Sequence, residues 1–216
     1  MADLKLVPVP TRILTNKDNI VDAIMEYAGH DITNHDIVCV AESVVAITQG
    51  RYIRPEELHI CWQARLMNRF VPGAGSMASI YGMQAAIEEE GKWNMLFSFI
   101  IGAVAKIFGK AGVFYARCRQ ASLIDDVTGT MPPFDKCLVY GPADTDRVCE
   151  EIKNATGAYG AVIADVNDLK RSAVLGKSKG INPGQIAKIL IDNPFGNDNQ
   201  KTPIVIIKNF TDHINR

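Results

Sequence analysis

Two pairs of carboxylates stand directly behind apolar runs. Asp125 and Asp126 follow Leu123-Ile124, and Asp165 and Asp168 follow the apolar residues 161–164. Hard divalent cations such as magnesium or manganese bind carboxylate oxygens, and magnesium typically uses one or two of them together with substrate phosphates. Two such loops sharing one ion is the chemistry this pattern suggests. Asp behind a strand also makes turns and caps helices, so spacing alone leaves both roles open; Asp144 and Asp146 read as turn and cap residues.

Other motifs carry less. Gly176-Lys177-Ser178 ends like a phosphate-binding loop, but the position five before Gly176 is Arg171, so the glycine turn that cradles phosphate is missing. Gly109-Lys110 is followed by Ala111, and Gly73-Ala-Gly75 lacks the third glycine of a dinucleotide fingerprint. The four histidines, His30, His35, His59 and His213, have no metal-ligand spacing. Five cysteines without a C-x-x-C pair indicate neither a disulfide framework nor a zinc knuckle. No Gly-x-Ser-x-Gly is present to support acyl-enzyme chemistry.

The elements that would position the acids alternate between strand and helix. Residues 4–9 carry Pro8, which restricts them to an edge strand or arm. Residues 20–28 repeat apolar positions at helical spacing after cap-type residues 16–19, with Gly29 suited to a C-cap. The first half of 36–47 is a buried strand by its β-branched content. A helix is expected across 55–70 and another over 83–90, a strand starting at 112–115, a loop over 124–133 and a short strand at 137–140. Asp144 is expected to cap a helix over 145–155. A buried strand at 160–164, a helix at 183–191 and a last strand at 203–207, followed by a polar tail, complete an α+β pattern of mixed sheets with packed helices. The strands near 37–40, 161–164 and 204–207 are expected to be central, because short fully apolar runs bury both faces.

The whole 216 residues read as one domain, with a smaller subdomain around 55–112. Twenty-three Lys and Arg against twenty-four Asp and Glu argue against nucleic acid as a partner, since duplex binders cluster their cations. No secretory leader is visible, and the apolar stretch 95–105 is shorter than the roughly 20 residues a membrane span needs. A cytoplasmic location and no membrane span are therefore expected. The 95–104 segment reads as buried core or as an interface, and it motivates a homodimer.

Asp36-Ile-Val-Cys-Val-Ala-Glu-Ser-Val-Val-Ala-Ile-Thr-Gln-Gly-Arg51 resembles the glutamate ligases that extend the deazaflavin coenzyme F(420), which carry a strand, a Val-Val or Val-Ile pair, then Ser-Lys-x-Glu-Gly-Arg. Similarity continues through Met83-Gln-Ala-Ala-Ile-Glu-Glu-Glu90, residues 138–152, Ile163-Ala-Asp-Val-Asn167 and the strand 203–207. The resemblance implies the γ-glutamyl ligase fold, a dimer, and a GTP-dependent acid–amino acid ligase in which a divalent ion positions the nucleotide. In that chemistry a substrate carboxylate becomes an acyl phosphate and the glutamate amine displaces phosphate. By position it places nucleotide binding on Thr11, Arg12, Glu42, Ser43, Arg51 and Thr128. The metal aspartates fall on Asp125, with Asp126 as the alternative, and on Asp165, while Asp198 in Gly196-Asn-Asp-Asn199 aligns with an acidic loop.

The sequence also departs from that pattern. The family lysine is Ile47 here, its Glu is Gln49, and the Thr beside the second aspartate is Val166. Each change removes a charge or a ligand, so a non-catalytic ligand-binding or regulatory protein that kept the fold is the alternative. Arg51 stands at the end of the same strand-turn unit as Ile47, with a guanidinium suited to phosphate or to an acidic neighbour across the turn.

Overall fold

The computed structural model describes residues 4–71, 77–127, 132–196 and 201–214. In chain order the elements are β1 (Lys5–Val9), α1 (Ile20–Ala28), β2 (Ile37–Ala41), α2 (Glu42–Thr48), β3 (Tyr52–Ile53), α3 (Trp62–Asn68), α4 (Ile80–Glu90), α5 (Lys92–Ile107) and α6 (Val113–Arg117). They continue with β4 (Leu138–Val139), α7 (Thr145–Thr156), β5 (Gly160–Asn167), β6 (Arg171–Lys177), α8 (Pro183–Ile189), β7 (Ile204–Lys208) and α9 (Phe210–Ile214). The chain divides into two compact units, one built from residues 1–50 and 142–216 and the other from 51–141.

The first unit is a five-stranded mixed sheet in the order β1-β7-β2-β5-β6. β2 and β5 run parallel, and every other pairing is antiparallel. The three expected strands, β7, β2 and β5, occupy the centre, and their apolar residues are buried on both faces, as such runs require. One face packs Val38, Val40, Ala161 and Ile163 with Ile24 of α1 and Ile152 of α7. The other packs Cys39, Val162 and Val205 with Ile186 of α8 and Phe210. Pro8 sits on β1 at the sheet's edge, where a missing N–H is tolerated.

Asp36 ties the start of β2 to the end of β7. Its side chain is fully buried, and it accepts hydrogen bonds from Thr33 N and Oγ1 at 2.8 and 2.9 Å, from Asn209 N at 2.9 Å and from Lys208 Nζ at 2.6 Å. Burial opposes the charge, but Lys208 and these donors outweigh it and hold the carboxyl below its usual range.

The second unit is mainly helical, with a two-stranded β3-β4 ladder. Its core gathers Met67 of α3, Met83 and Ile87 of α4, Met95 of α5, and Ile124 and Leu138. No helix among the described residues is long and apolar enough to cross a membrane.

Several local expectations need correction. Residues 112–115 begin α6 rather than a strand. Gly112 takes a left-handed conformation, Ala116 N bonds to Gly112 O, and Phe114 packs on α5 where Gly102 leaves room for it, so tertiary packing overrides β propensity. The region 55–70 is a 3-10 turn at Pro55–Glu57 followed by the separate α3, because Cys61 N donates to the Gln84 side chain instead of continuing a helix. β5 runs on to Asn167, since the unforeseen edge strand β6 extends the ladder through Val162–Lys177 to Asn167–Arg171 pairing. Asp165 is therefore in a strand, not a loop. Asp144 holds the N-cap position of α7 in a left-handed conformation without capping it; its carboxylate lies 3.5 Å from Arg147. Gly29 is the C-cap of α1 as expected, though with an ordinary helical φ of −56°, while the expected polar tail contains α9. The 95–104 segment is not buried throughout: in α5 Met95 and Ser98 are buried while the opposite face is exposed.

Candidate functional site

In the first unit, the parallel pair β2 and β5 brings two carboxylates out at one end. Ala41 pairs with Ala164, so Glu42, the first residue of α2, and Asp165, still within β5, directly follow the last parallel pair. Open α/β sheets offer ligand sites beyond the carboxyl ends of their parallel strands. Glu42 is buried in the first turn of α2, where an acidic residue suits the helix dipole, and Ser43 follows it half-buried.

Asp165 differs from Asp36 in its surroundings. Half-buried in β5 opposite Ala173, it makes no side-chain hydrogen bond or salt bridge among the described residues. Burial pushes its pKa up, and no cation among the described residues offsets the effect. A hard cation is the kind of partner that would favour its charged form, and its oxygen donors are the right type.

Thr11 and Arg12 follow β1. Thr11 is buried and its hydroxyl donates to Arg12 O at 2.7 Å. The Arg12 guanidinium bridges both Asp18 oxygens, at 2.9 and 2.6 Å, and the pair raises the pKa of Arg12 and lowers that of Asp18, the Arg12 hydrogen bond being the main cause of the latter. Arg12 is thus already engaged locally. Ile47 lies on the buried side of α2. Gln49 clamps Ala143 in both directions: Nε2 donates to Ala143 O at 3.0 Å and Oε1 accepts from Ala143 N at 2.8 Å. A carboxylate at position 49 could accept but not donate, which gives the departure at Gln49 a physical basis.

In the second unit Arg51 is also engaged. Its Nε donates to Gly141 O at 2.6 Å and its Nη2 to Glu89 Oε2 at 2.5 Å, with the guanidinium 5.9 Å from the Tyr140 ring centre. Around it, Glu88 accepts from Gln84 Nε2 at 3.1 Å and Glu90 accepts from Gln120 N at 2.8 Å. Burial, then Glu88 and Glu89, push the Tyr140 phenol up, so it remains protonated. The sequence reading missed this cluster as a unit; three successive glutamates near the end of α4 were the signal.

Asp125 exchanges backbone hydrogen bonds with Val139 at 2.8 and 3.0 Å, which fixes its backbone beside β4. Asp126 Oδ1 accepts from Val127 N at 2.8 Å, a turn-type bond. Thr128 and Asp198 lie outside the described residues. Among those described, no three His, Cys, Asp or Glu side chains gather to hold a metal ion. Burial pushes the thiols of Cys39, Cys118, Cys137 and Cys149 up, away from the thiolate that nucleophilic catalysis needs. Gly176-Lys177-Ser178 ends β6 and the turn after it, with buried Ser178 Oγ accepting from Ala161 N at 3.0 Å, a structural role.

No curated protein matches the chain. The family model described as F420-0:Gamma-glutamyl ligase matches residues 8–184, a span that runs from the end of β1 to the start of α8 and includes all the described candidate residues. On that match over most of its length, the chain belongs to the F420-0:gamma-glutamyl ligase family.

Proposed function

We propose that this protein is a nucleotide- and divalent-metal-dependent amide ligase of the γ-glutamyl type. The observation that carries the reading is Asp165, a half-buried carboxylate without a cationic partner among the described residues, at the end of the parallel pair in a chain of a ligase family. The reaction has two displacements. A substrate carboxylate oxygen attacks the terminal phosphorus of GTP and GDP leaves; the amine of glutamate then attacks the acyl carbon, loses a proton, and inorganic phosphate departs.

Magnesium or manganese would supply charge neutralisation at the polyphosphate. Asp165 is its principal candidate ligand in the first unit. For the nucleotide, Ser43 and Thr11 offer hydroxyls, and Thr128 and Glu42 complete the candidate set. Arg12 and Arg51 would reach phosphate only by sharing guanidinium groups already held by Asp18 and Glu89. A homodimer, which the resemblance implies, belongs to the same proposal.

The second reading, a ligand-binding protein without turnover, is favoured by Ile47, which is buried where the resemblance expects a lysine. Thermal unfolding with GTP or ATP, each with and without magnesium or manganese, tests the binding step, because a ligand of the native state raises its melting temperature. GTP with manganese is expected to raise it, and Asp165→Ala to abolish that rise. No shift with any nucleotide-metal pair would overturn the ligase reading; a shift without phosphate release on adding glutamate and an acceptor would select the second.

A further inference from the structure

The outer surface of the second unit carries an apolar strip that neither its core nor the ligase reading uses. On α5, Trp93, Phe97, Ile100, Val104 and Ile107 recur at spacings of four and three, which aligns them on one side of a helix. All five are exposed, and Phe108 continues the row at the helix end; Ile107 and Phe108 are 82% and 78% exposed. α3 packs beside α5 and adds exposed Trp62 and Leu66, with exposed Phe70 in the turn just after it. Large contiguous apolar patches on a folded unit mark interaction sites.

Charge decides what the strip fits. Residues 58–87 and 91–124 contain seven Lys and Arg and no Asp or Glu. Arg65, Arg69, Lys92, Lys106 and Lys110 are exposed and make no salt bridge among the described residues. In sequence Arg65 stands between Trp62 and Leu66 on α3, and Arg69 caps its end before Phe70. A self-complementary contact between two copies would set these cations against their own equivalents, with no acid on the helices to answer them. The α5 helix is too short to span a bilayer and commits Met95 and Ser98 to the core. An apolar face edged by unpaired cations and carrying tryptophan is the composition of a helix that lies in a lipid interface.

We propose that the joined outer face of α3 and α5 docks on the surface of an anionic lipid bilayer. The apolar side chains enter the headgroup boundary while Arg65, Arg69, Lys92, Lys106 and Lys110 meet lipid phosphates. This assignment is independent of the ligase reading.

The chain's two tryptophans, Trp62 and Trp93, both lie on this face, 56% and 62% exposed, so their emission reports directly on it. The full-length protein is mixed with vesicles of phosphatidylcholine alone or with one part phosphatidylglycerol, including a set with brominated acyl chains. The expected result is a blue shift and bromine quenching with the anionic vesicles, weakened by added salt, and co-flotation with them. Arg65→Glu with Arg69→Glu should weaken partition about tenfold or more. Phe97→Asp with Ile100→Asp, at exposed positions, should abolish quenching, with circular dichroism checking that the fold is kept. No quenching and no flotation with the anionic vesicles would overturn the proposal. So would a wild-type dimer by light scattering that ignores vesicles and becomes monomeric in Phe97→Asp with Ile100→Asp, which would assign the face to a second copy.

Discussion

The two units use apolar residues in opposite ways. In the first, the central strands β7, β2 and β5 are covered on both faces, by α1 and α7 on one side and α8 and Phe210 on the other. A sheet covered twice consumes its apolar residues, and its large exposed ones are scattered singly, as at Met25 and Leu169. In the second, α3 and α5 bury Met67 and Met95 inward yet carry Trp62, Leu66, Trp93, Phe97 and Ile107 outward. Apolar content alone therefore does not locate a core. The first unit specifies itself by strand pairing and buried polar ties, while the second keeps an apolar face beyond what its own interior needs.

If that contrast holds, the largest stability losses belong to the first unit's buried ties. Asp36→Asn removes a carboxylate held by Lys208 and three further hydrogen bonds and leaves the partly buried ammonium without its partner, at a cost of about 3 kcal/mol. The pH dependence follows from the lowered folded-state pKa of Asp36. The stabilisation is complete above the unfolded carboxyl range near pH ~4, and it is lost as pH falls through the lower folded value. Urea unfolding of both proteins at pH 7 and pH 3 checks this: the gap between them should narrow at the lower pH. A gap unchanged by pH would remove the electrostatic account.

Close packing in the same unit gives the next effect. A Cβ at Gly176 would lie 2.7 Å from the backbone carbon of Thr145, and Thr145 is itself held by its hydroxyl donating to Leu175 O at 2.9 Å. Gly176→Ala should therefore cost about 2 kcal/mol by overpacking. Hydrogen exchange localises the loss: protection should fall in β5, β6 and α7.

These contrasts also explain what the sequence disclosed. Residues 37–40, 161–164 and 204–207 were legible because a doubly covered strand must be apolar throughout, which leaves few other readings. β6 was not, since Arg171, Gly176 and Lys177 break its alternation and its pairing comes from a hairpin with β5. α6 was misread because Val113, Phe114 and Tyr115 have β propensity and only the room at Gly102 reveals the helix. At the candidate site, the acidic residues were visible by type. What held Arg12 and Arg51 was not: Asp18 lies six residues away, and Glu89 and Gly141 reach Arg51 across long stretches of chain. Gln49 looked like a lost ligand and is a two-way clamp on Ala143.

Arg51 supplies the second unit's test. Its pair with Glu89 is three-quarters covered, and the bond to Gly141 O closes the β3-β4 end, so Arg51→Ala should cost about 1 kcal/mol. The loss should appear as faster exchange within 51–141 and leave the central sheet unchanged. A loss of nucleotide-induced stabilisation with unchanged exchange would instead place Arg51 on the phosphate.

The smallest effect has the opposite sign. Asp165 is a carboxylate whose pKa burial raises, so its protonated form suits the folded state and its charged form opposes it. The stabilising contribution is fully present below the unfolded carboxyl range and is lost as pH rises through the higher folded value. At pH 7 the apo protein therefore carries the cost of a charge without a partner among the described residues, and Asp165→Asn, nearly the same shape without the charge, should raise the apo stability by about 0.5 to 1 kcal/mol. The gain should vanish at pH 3, where the wild-type side chain is neutral as well. A residue that weakens the apo fold at its working pH is explained by a ligand that offsets the cost, so the same variant should lose the stabilisation that manganese and GTP give the wild type. Denaturant unfolding at the two pH values, with and without the nucleotide-metal pair, decides the matter. A destabilised Asp165→Asn protein would show that the carboxylate is part of the scaffold, as Asp36 is.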